Sequence, residues 1–119
     1  MGMIRPINEE EKDTTIAGHF SDLNDPRIDR TKRHKLADII TIAICSTLCM
    51  GESWDAMEEF GQTHEQWLRK FLELPNGIPS HDTFNRVFAR IDPDQFRTCF
   101  ISWVKSIEPK FDGDIKYLN

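Results

Sequence analysis

The chain has 119 residues, 39% of them hydrophobic, and carries 15 Lys and Arg against 20 Asp and Glu for a formal charge of −5. That length supports one domain with a modest core and is short of a typical two-lobed enzyme. Eight Phe, three Trp and one Tyr are too many aromatics for a disordered chain and suit a compact fold with a few heavy anchors.

Residues 1–13 are polar, with Glu9, Glu10, Glu11 and Asp13 and no apolar stretch, so they are not a secretory signal and are expected to be disordered. A short helix is predicted within residues 14–23, with Ile16, Phe20 and Leu23 on one side. Asn24-Asp25-Pro26 ends it, because proline lacks the N–H and disfavours helix at the residue before it. Residues 36–50 are apolar on nearly all sides. Their β-branched content would also suit a strand, but 15 residues is long for one, so a central buried helix is expected, stopped by Gly51 as a left-handed cap. The same run contains Asp38 and falls short of the roughly 20 residues of a membrane span.

Ser53 caps the next predicted helix, whose inner face is Trp54, Met57 and Phe60. Gly61 marks a bend, and a further helix carries Trp67, Leu68, Phe71 and Leu72. Two prolines and Asn76-Gly77 make residues 74–79 a loop. Ser80 then caps a helix with Phe84, Val87, Phe88 and Ile91 at i, i+3, i+4 and i+7. Asp92-Pro93-Asp94-Gln95 opens the last helix, Asp92 as cap and Gln95 completing a capping box, with a stripe of Phe96, Cys99, Phe100, Trp103, Val104 and Ile107. Residues 110–119 read differently, as a turn followed by the start of a strand. The expected fold is therefore all-α: a compact bundle of five to six helices spanning residues 14–109, with a helix-turn-helix-like pair.

Functional signals are concentrated in two places. Arg27, Arg30, Lys32, Arg33 and Lys35, with His34 among them and Asp29 the one acid, give residues 27–35 a formal charge of +4 on a chain whose remainder sums to −9. Such a local excess attracts polyanions at one place while the rest of the surface repels them, which suits a positioned nucleic-acid contact. A solvated loop is the plainer alternative. The second place is the helix from His81 to Ile91, whose outer face presents Asp82, Asn85, Arg86, Ala89 and Arg90. Arg and Asn pair bidentately with guanine and adenine edges, although an ordinary amphipathic surface helix would look the same. The loop before it is longer than a standard helix-turn-helix allows.

Nothing in the residues supports catalysis. Asp55, Glu58, Glu59, Asp92, Asp94, Asp112 and Asp114 lie on helix faces opposite the apolar stripes or in turns, and no nucleophile elbow, phosphate-cradling glycine loop or His-Glu-x-x-His occurs. No metal or cofactor is expected. Cys45, Cys49 and Cys99 are an odd number at apolar helical positions, which fits reduced core thiols in the cytoplasm.

The order of short motifs is more specific than any one of them. His19-Phe20-Ser21-Asp22-Leu23, Asp25-Pro26-Arg27, Lys32-Arg33-His34-Lys35-Leu36-Ala37-Asp38, Glu52-Ser53-Trp54 and Glu58-Glu59-Phe60-Gly61 follow one another. Phe71-Leu72, the run from Pro75 to Phe88, and Asp92-Pro93 complete the series. Over residues 17–115 the chain closely resembles the N-terminal region of bacterial insertion-sequence transposases of the H-repeat-associated group. The resemblance implies a helical domain ahead of an RNase H-like catalytic domain that uses an Asp-Asp-Glu triad and divalent metal. No residue here matches that triad, and the chain departs from the family pattern after Ile115, reading Lys116-Tyr117-Leu118-Asn119. The expectation is a non-catalytic accessory module with residues 110–119 as a truncated start of the catalytic domain. The expected DNA contacts are Arg27, Arg30, Lys32, Arg33, His34, Lys35, Asn85, Arg86 and Arg90. The alternative is a protein–protein module that pairs with itself or with an intact transposase.

Overall fold

The computed structural model describes residues 15–28 and 33–107. Among them are six helices and no strand, in keeping with the all-α expectation: α1 Ile16–His19, α2 Leu36–Leu48, α3 Trp54–Thr63, α4 Glu65–Leu68, α5 His81–Arg90 and α6 Pro93–Ile107. The segments expected to be disordered (1–13) or the start of another domain (110–119) lie outside the described residues.

Every residue from Asp38 to Ile44 in α2 is buried, and Ile39, Ile40 and Ile42 are wholly enclosed. The helix packs against α1 and α3, and α1 also packs against α6. The cap at its C-terminus differs from the expectation. Met50, not Gly51, holds the left-handed conformation, with φ 73°. The Met50 N–H donates to the Thr47 carbonyl at 3.0 Å and the Gly51 N–H to the Ser46 carbonyl at 2.8 Å, the paired bonds of a Schellman turn. Glycine is needed at 51 for space: a Cβ there would lie 2.4 Å from Ser46 Oγ.

The N-caps read from sequence are formed. Ser53 Oγ accepts the Ala56 N–H at 3.0 Å, Ser80 Oγ accepts that of Thr83 at 3.3 Å, and Asp92 Oδ1 accepts those of Asp94 and Gln95 at 2.9 and 3.3 Å. The Gln95 side chain does not close a capping box; its Oε1 accepts the Asn24 N–H at 3.2 Å and so ties the turn after α1 to α6. Gly61 does not bend α3. It is buried mid-helix, where a Cβ would meet Ile78 Cγ2 at 2.6 Å, so it lets the 74–79 loop lie against the helix. The helix expected to carry Trp67 through Leu72 stops at Leu68. Leu68 and Leu72 are buried, while Trp67 and Phe71 stand exposed, edge to face at 4.9 Å.

Phe84, Val87 and Ile91 bring α5 into the core, and its neighbour is α3, with α4 and residues 69–80 between them in the chain. On α6, Cys99 is the buried residue; Phe96, Phe100 and Trp103 are half-buried against the core and Val104 is exposed. The core-thiol expectation fails for Cys49, which is exposed at the end of α2, while Cys45 is half-buried and Cys99 buried. No helix among the described residues is long and apolar enough to cross a membrane.

Candidate nucleic-acid interface

The basic segment is divided by its own hydrogen bonds. Asp25 grips Arg27: Oδ1 accepts the Arg27 N–H at 3.0 Å and Nε–H at 2.9 Å, and Oδ2 accepts Nη2–H at 2.7 Å, leaving the Arg27 side chain 8% exposed. Arg27 is thus chiefly a local fold element whose charge is partly neutralised. Arg30 and Lys32 lie outside the described residues. The Lys35 ammonium donates to Glu73, which raises its pKa and makes it half of a surface ion pair instead of a free cation.

Arg33 is exposed, and its backbone carbonyl accepts a hydrogen bond from the Asn76 side-chain amide. The loop that supplies Asn76 is fixed at several points around the basic segment. Glu73 takes Lys35, the buried Asp38 carboxylate accepts the Leu74 N–H at 2.9 Å, and Ile78 fills the space over Gly61. Leu74 at φ 44° and Gly77 at φ 80° give the loop its reversals. The 73–79 loop is therefore a brace that holds residues 33–35 beside α5.

Between that segment and α5 lies an open groove of about 680 Å³, lined by Arg27, Arg33, His34, Ile78, Ser80, Thr83, Arg86, Val87 and Arg90. Arg33, Arg86 and Arg90 have no ion-pair partner among the described residues. The two signals, far apart in the sequence, thus line one site. Neither Lys35 nor Asn85 belongs to it: Asn85 is exposed on α5 but away from the groove. Ser80 and Thr83, whose hydroxyls suit phosphate oxygens, were not among the expected contacts. The Ser80 cap at the mouth of an Arg-bearing helix was the available signal.

His34 sits half-buried in the groove wall, its Nδ1 enclosed and without a hydrogen-bond partner. Burial first, then the guanidiniums of Arg33 and Arg27, hold its pKa below the usual 6.5, against the Asp38 carboxylate and the Gly77 backbone. The imidazole is accordingly neutral at neutral pH, and the groove's charge there is carried by arginine.

Two other surfaces stand out. Asp55, Glu58 and His81, expected as separate solvated groups, place ligand atoms within 4.8 Å of one another. Oxygen and imidazole donors of this kind could hold a divalent cation, but Glu58 Oε1 already accepts both the His81 N–H and Nδ1–H at 2.8 Å. On another face, Ile44, Leu48, Trp54, Met57, Phe88, Phe96 and Phe100 line an apolar groove of about 310 Å³. Trp54, Phe88, Phe96 and Phe100 contact one another in series, at centroid distances of 5.7, 5.7 and 6.4 Å.

The family described as DDE_Tnp_1-associated matches residues 17–104. The chain belongs to the DDE_Tnp_1-associated family. The match begins in α1 and ends in α6, so the whole cationic groove is part of the DDE_Tnp_1-associated domain. An uncharacterized protein in the dhlA 3′ region of Xanthobacter autotrophicus is 47% identical over 97 residues, 81% of this chain and 32% of the relative. The H repeat-associated putative transposase YhhI of Escherichia coli K12 is 38% identical over 97 residues, 82% of this chain and 26% of the relative. The inactive transposase YbfQ of the same strain is 42% identical over 57 residues, 48% of this chain and 68% of the relative. The chain thus spans between a quarter and a third of the length of the first two. No solved structure matches it.

Proposed function

We propose that this chain is a non-catalytic, DNA-binding accessory domain of the transposase type. The observation that carries the proposal is the meeting of Arg33, Arg86 and Arg90, without carboxylate partners among the described residues, in one groove of a chain whose net charge is −5. Uncompensated guanidiniums held at fixed spacing by a braced loop and a helix are suited to phosphate oxygens, and binding to them releases counterions. With purified protein, Mg²⁺ and supercoiled DNA, no strand nicking is expected.

Fluorescence anisotropy with a short duplex at several salt concentrations tests the binding. About 3–5 neutralised phosphates give a slope of log affinity against log salt of roughly −3 to −4.5, with micromolar affinity at moderate salt. Replacing Arg33, Arg86 and Arg90 together by Ala flattens the slope by roughly 3. Equal binding by wild type and the triple variant would refute the assignment.

A second reading, assembly with a protein partner, is favoured by the apolar groove. Leu48 on its rim is 66% exposed, and nearby Met50 is 82% exposed. Half-buried aromatics in a groove are the usual anchors of protein interfaces. Sedimentation of the isolated chain, or with an intact relative, distinguishes the two readings, because DNA binding requires the arginines and association does not.

A further inference from the structure

We infer that the cationic groove holds one phosphodiester strand of duplex DNA as a concave, sequence-indifferent clamp, and that α5 lies along that strand instead of entering the major groove as a reading helix. The inference rests on the DNA-binding reading and specifies its mode.

A helix that reads bases must present a convex ridge to a groove about 12 Å wide. The cation-bearing flank of α5 instead lines an open cleft together with Arg33, His34, Ile78 and Ser80. The helix also divides its polar groups. Thr83, Arg86 and Arg90, at intervals of three and four, face the cleft. Asp82, Asn85 and Ala89 repeat at the same intervals as a separate exposed stripe, turned about 100° per residue from the first. The amide best suited to adenine therefore lies outside the lining of the cleft that holds the guanidiniums.

The approach direction gives the same answer. Reading helices contact base edges with their N-terminal residues. The start of α5 is surrounded by carboxylates: His81 Nδ1 lies 2.8 Å from Glu58 and 3.4 Å from Asp55, and Nε2 lies 3.6 Å from Asp82. One imidazole cannot balance three carboxylates, so the acidic flank at the start of α5 repels phosphate, and DNA meets the helix along the flank of Thr83, Arg86 and Arg90. Guanidinium and hydroxyl groups in a cleft position a backbone and carry no sequence information.

Affinities of the full chain for a panel of equal-length duplexes, AT-only, GC-only and mixed, test this at one fixed salt concentration. Wild type is expected to bind all of them within about 3-fold, whereas sequence-specific complexes exceed non-specific ones by about 10³-fold or more. Arg86→Ala and Arg90→Ala should each weaken every duplex by a common factor of about 3–10, while Asn85→Ala and Asp82→Asn change affinity by less than about 2-fold. All four residues are exposed, so the variants should fold, which circular dichroism checks. A duplex preferred by about 100-fold or more, with that preference lost in Asn85→Ala, would overturn the clamp and make α5 a reading helix. Arginine variants that bind every duplex as wild type does would overturn the groove as the DNA site, and the clamp with it.

Discussion

Glu58 Oε1 accepts two hydrogen bonds from His81, from its backbone N–H and its ring Nδ1–H, each at 2.8 Å. The pair joins the middle of α3 to the first residue of α5, so it fixes where the groove-bearing helix begins. Each partner favours the charged form of the other. The Glu58 hydrogen bond raises the His81 pKa above 6.5, and the His81 ring and backbone hydrogen bonds lower the Glu58 pKa below 4.5.

The Glu58–His81 pair therefore has a defined pH window. A His whose pKa is raised on folding stabilises the fold fully below 6.5 and loses that contribution as pH rises through the folded value. A Glu whose pKa is lowered contributes above 4.5 and loses it as pH falls through its own folded value. The melting-temperature difference between wild type and His81→Gln should be largest near pH 5–6 and shrink on alkaline titration. His34 acts in the opposite sense, because its depressed pKa favours proton uptake by the unfolded chain below 6.5. Measuring the difference between the two proteins removes that contribution. A difference that grows from pH 6 to pH 9 would refute the stabilising role of the Glu58–His81 pair.

Phe84 is completely buried. Phe84→Ala should cost about 3–5 kcal/mol by loss of burial and creation of a cavity. The sequence stripe makes Trp103 an equally heavy anchor, but Trp103 is only half-buried against the core on α6. Trp103→Ala should therefore cost less than Phe84→Ala in urea denaturation, and the reverse order would show that α6 is packed more deeply than the structure has it.

The turn after α2 offers a test with two opposite signs. Met50 holds a left-handed backbone at φ 73° with its side chain exposed, so Met50→Gly should stabilise by about 1 kcal/mol. Gly51→Ala places a Cβ against Ser46 Oγ and should destabilise by about 1–3 kcal/mol. Thermal melts that move the same way in both variants would contradict the geometry.

Asp38 is 3% exposed and its carboxylate holds the Leu74 N–H. Asp38→Ala leaves that donor buried and unpaired, at a cost of about 1–3 kcal/mol. It also loosens the loop that braces Arg33, so DNA affinity should fall in protein that is still folded. Asp38→Asn keeps an acceptor and should be milder in both measurements. Affinity at the wild-type level in a folded Asp38→Ala chain would show that the brace is unnecessary.

The starts of α3, α5 and α6 were legible because caps are local: Ser53, Ser80 and Asp92 bond to N–H groups two or three residues away. The buried face of α5 was legible from its period. What the sequence did not disclose was pairing across the chain. Lys35 reads as a free cation until Glu73 is seen beside it, and Asn85 reads as a partner of Arg86 until the groove takes in one and leaves out the other. Gly61 looks like a breaker because its role, admitting Ile78, depends on a loop 17 positions later. The Asp25–Arg27 clamp was within reach, since the partners are two residues apart. Counting charge alone hid it.

The most direct test of the groove is residue-resolved. Backbone and arginine side-chain ¹H–¹⁵N spectra, recorded while a short duplex DNA is added, report which residues the DNA touches. The shifts should centre on Arg33, His34, Thr83, Arg86 and Arg90 and leave Asn85, Trp67 and Leu48 nearly unmoved. Shifts centred on Leu48, Trp54 and Phe88, with the three arginines silent, would contradict DNA binding in this groove.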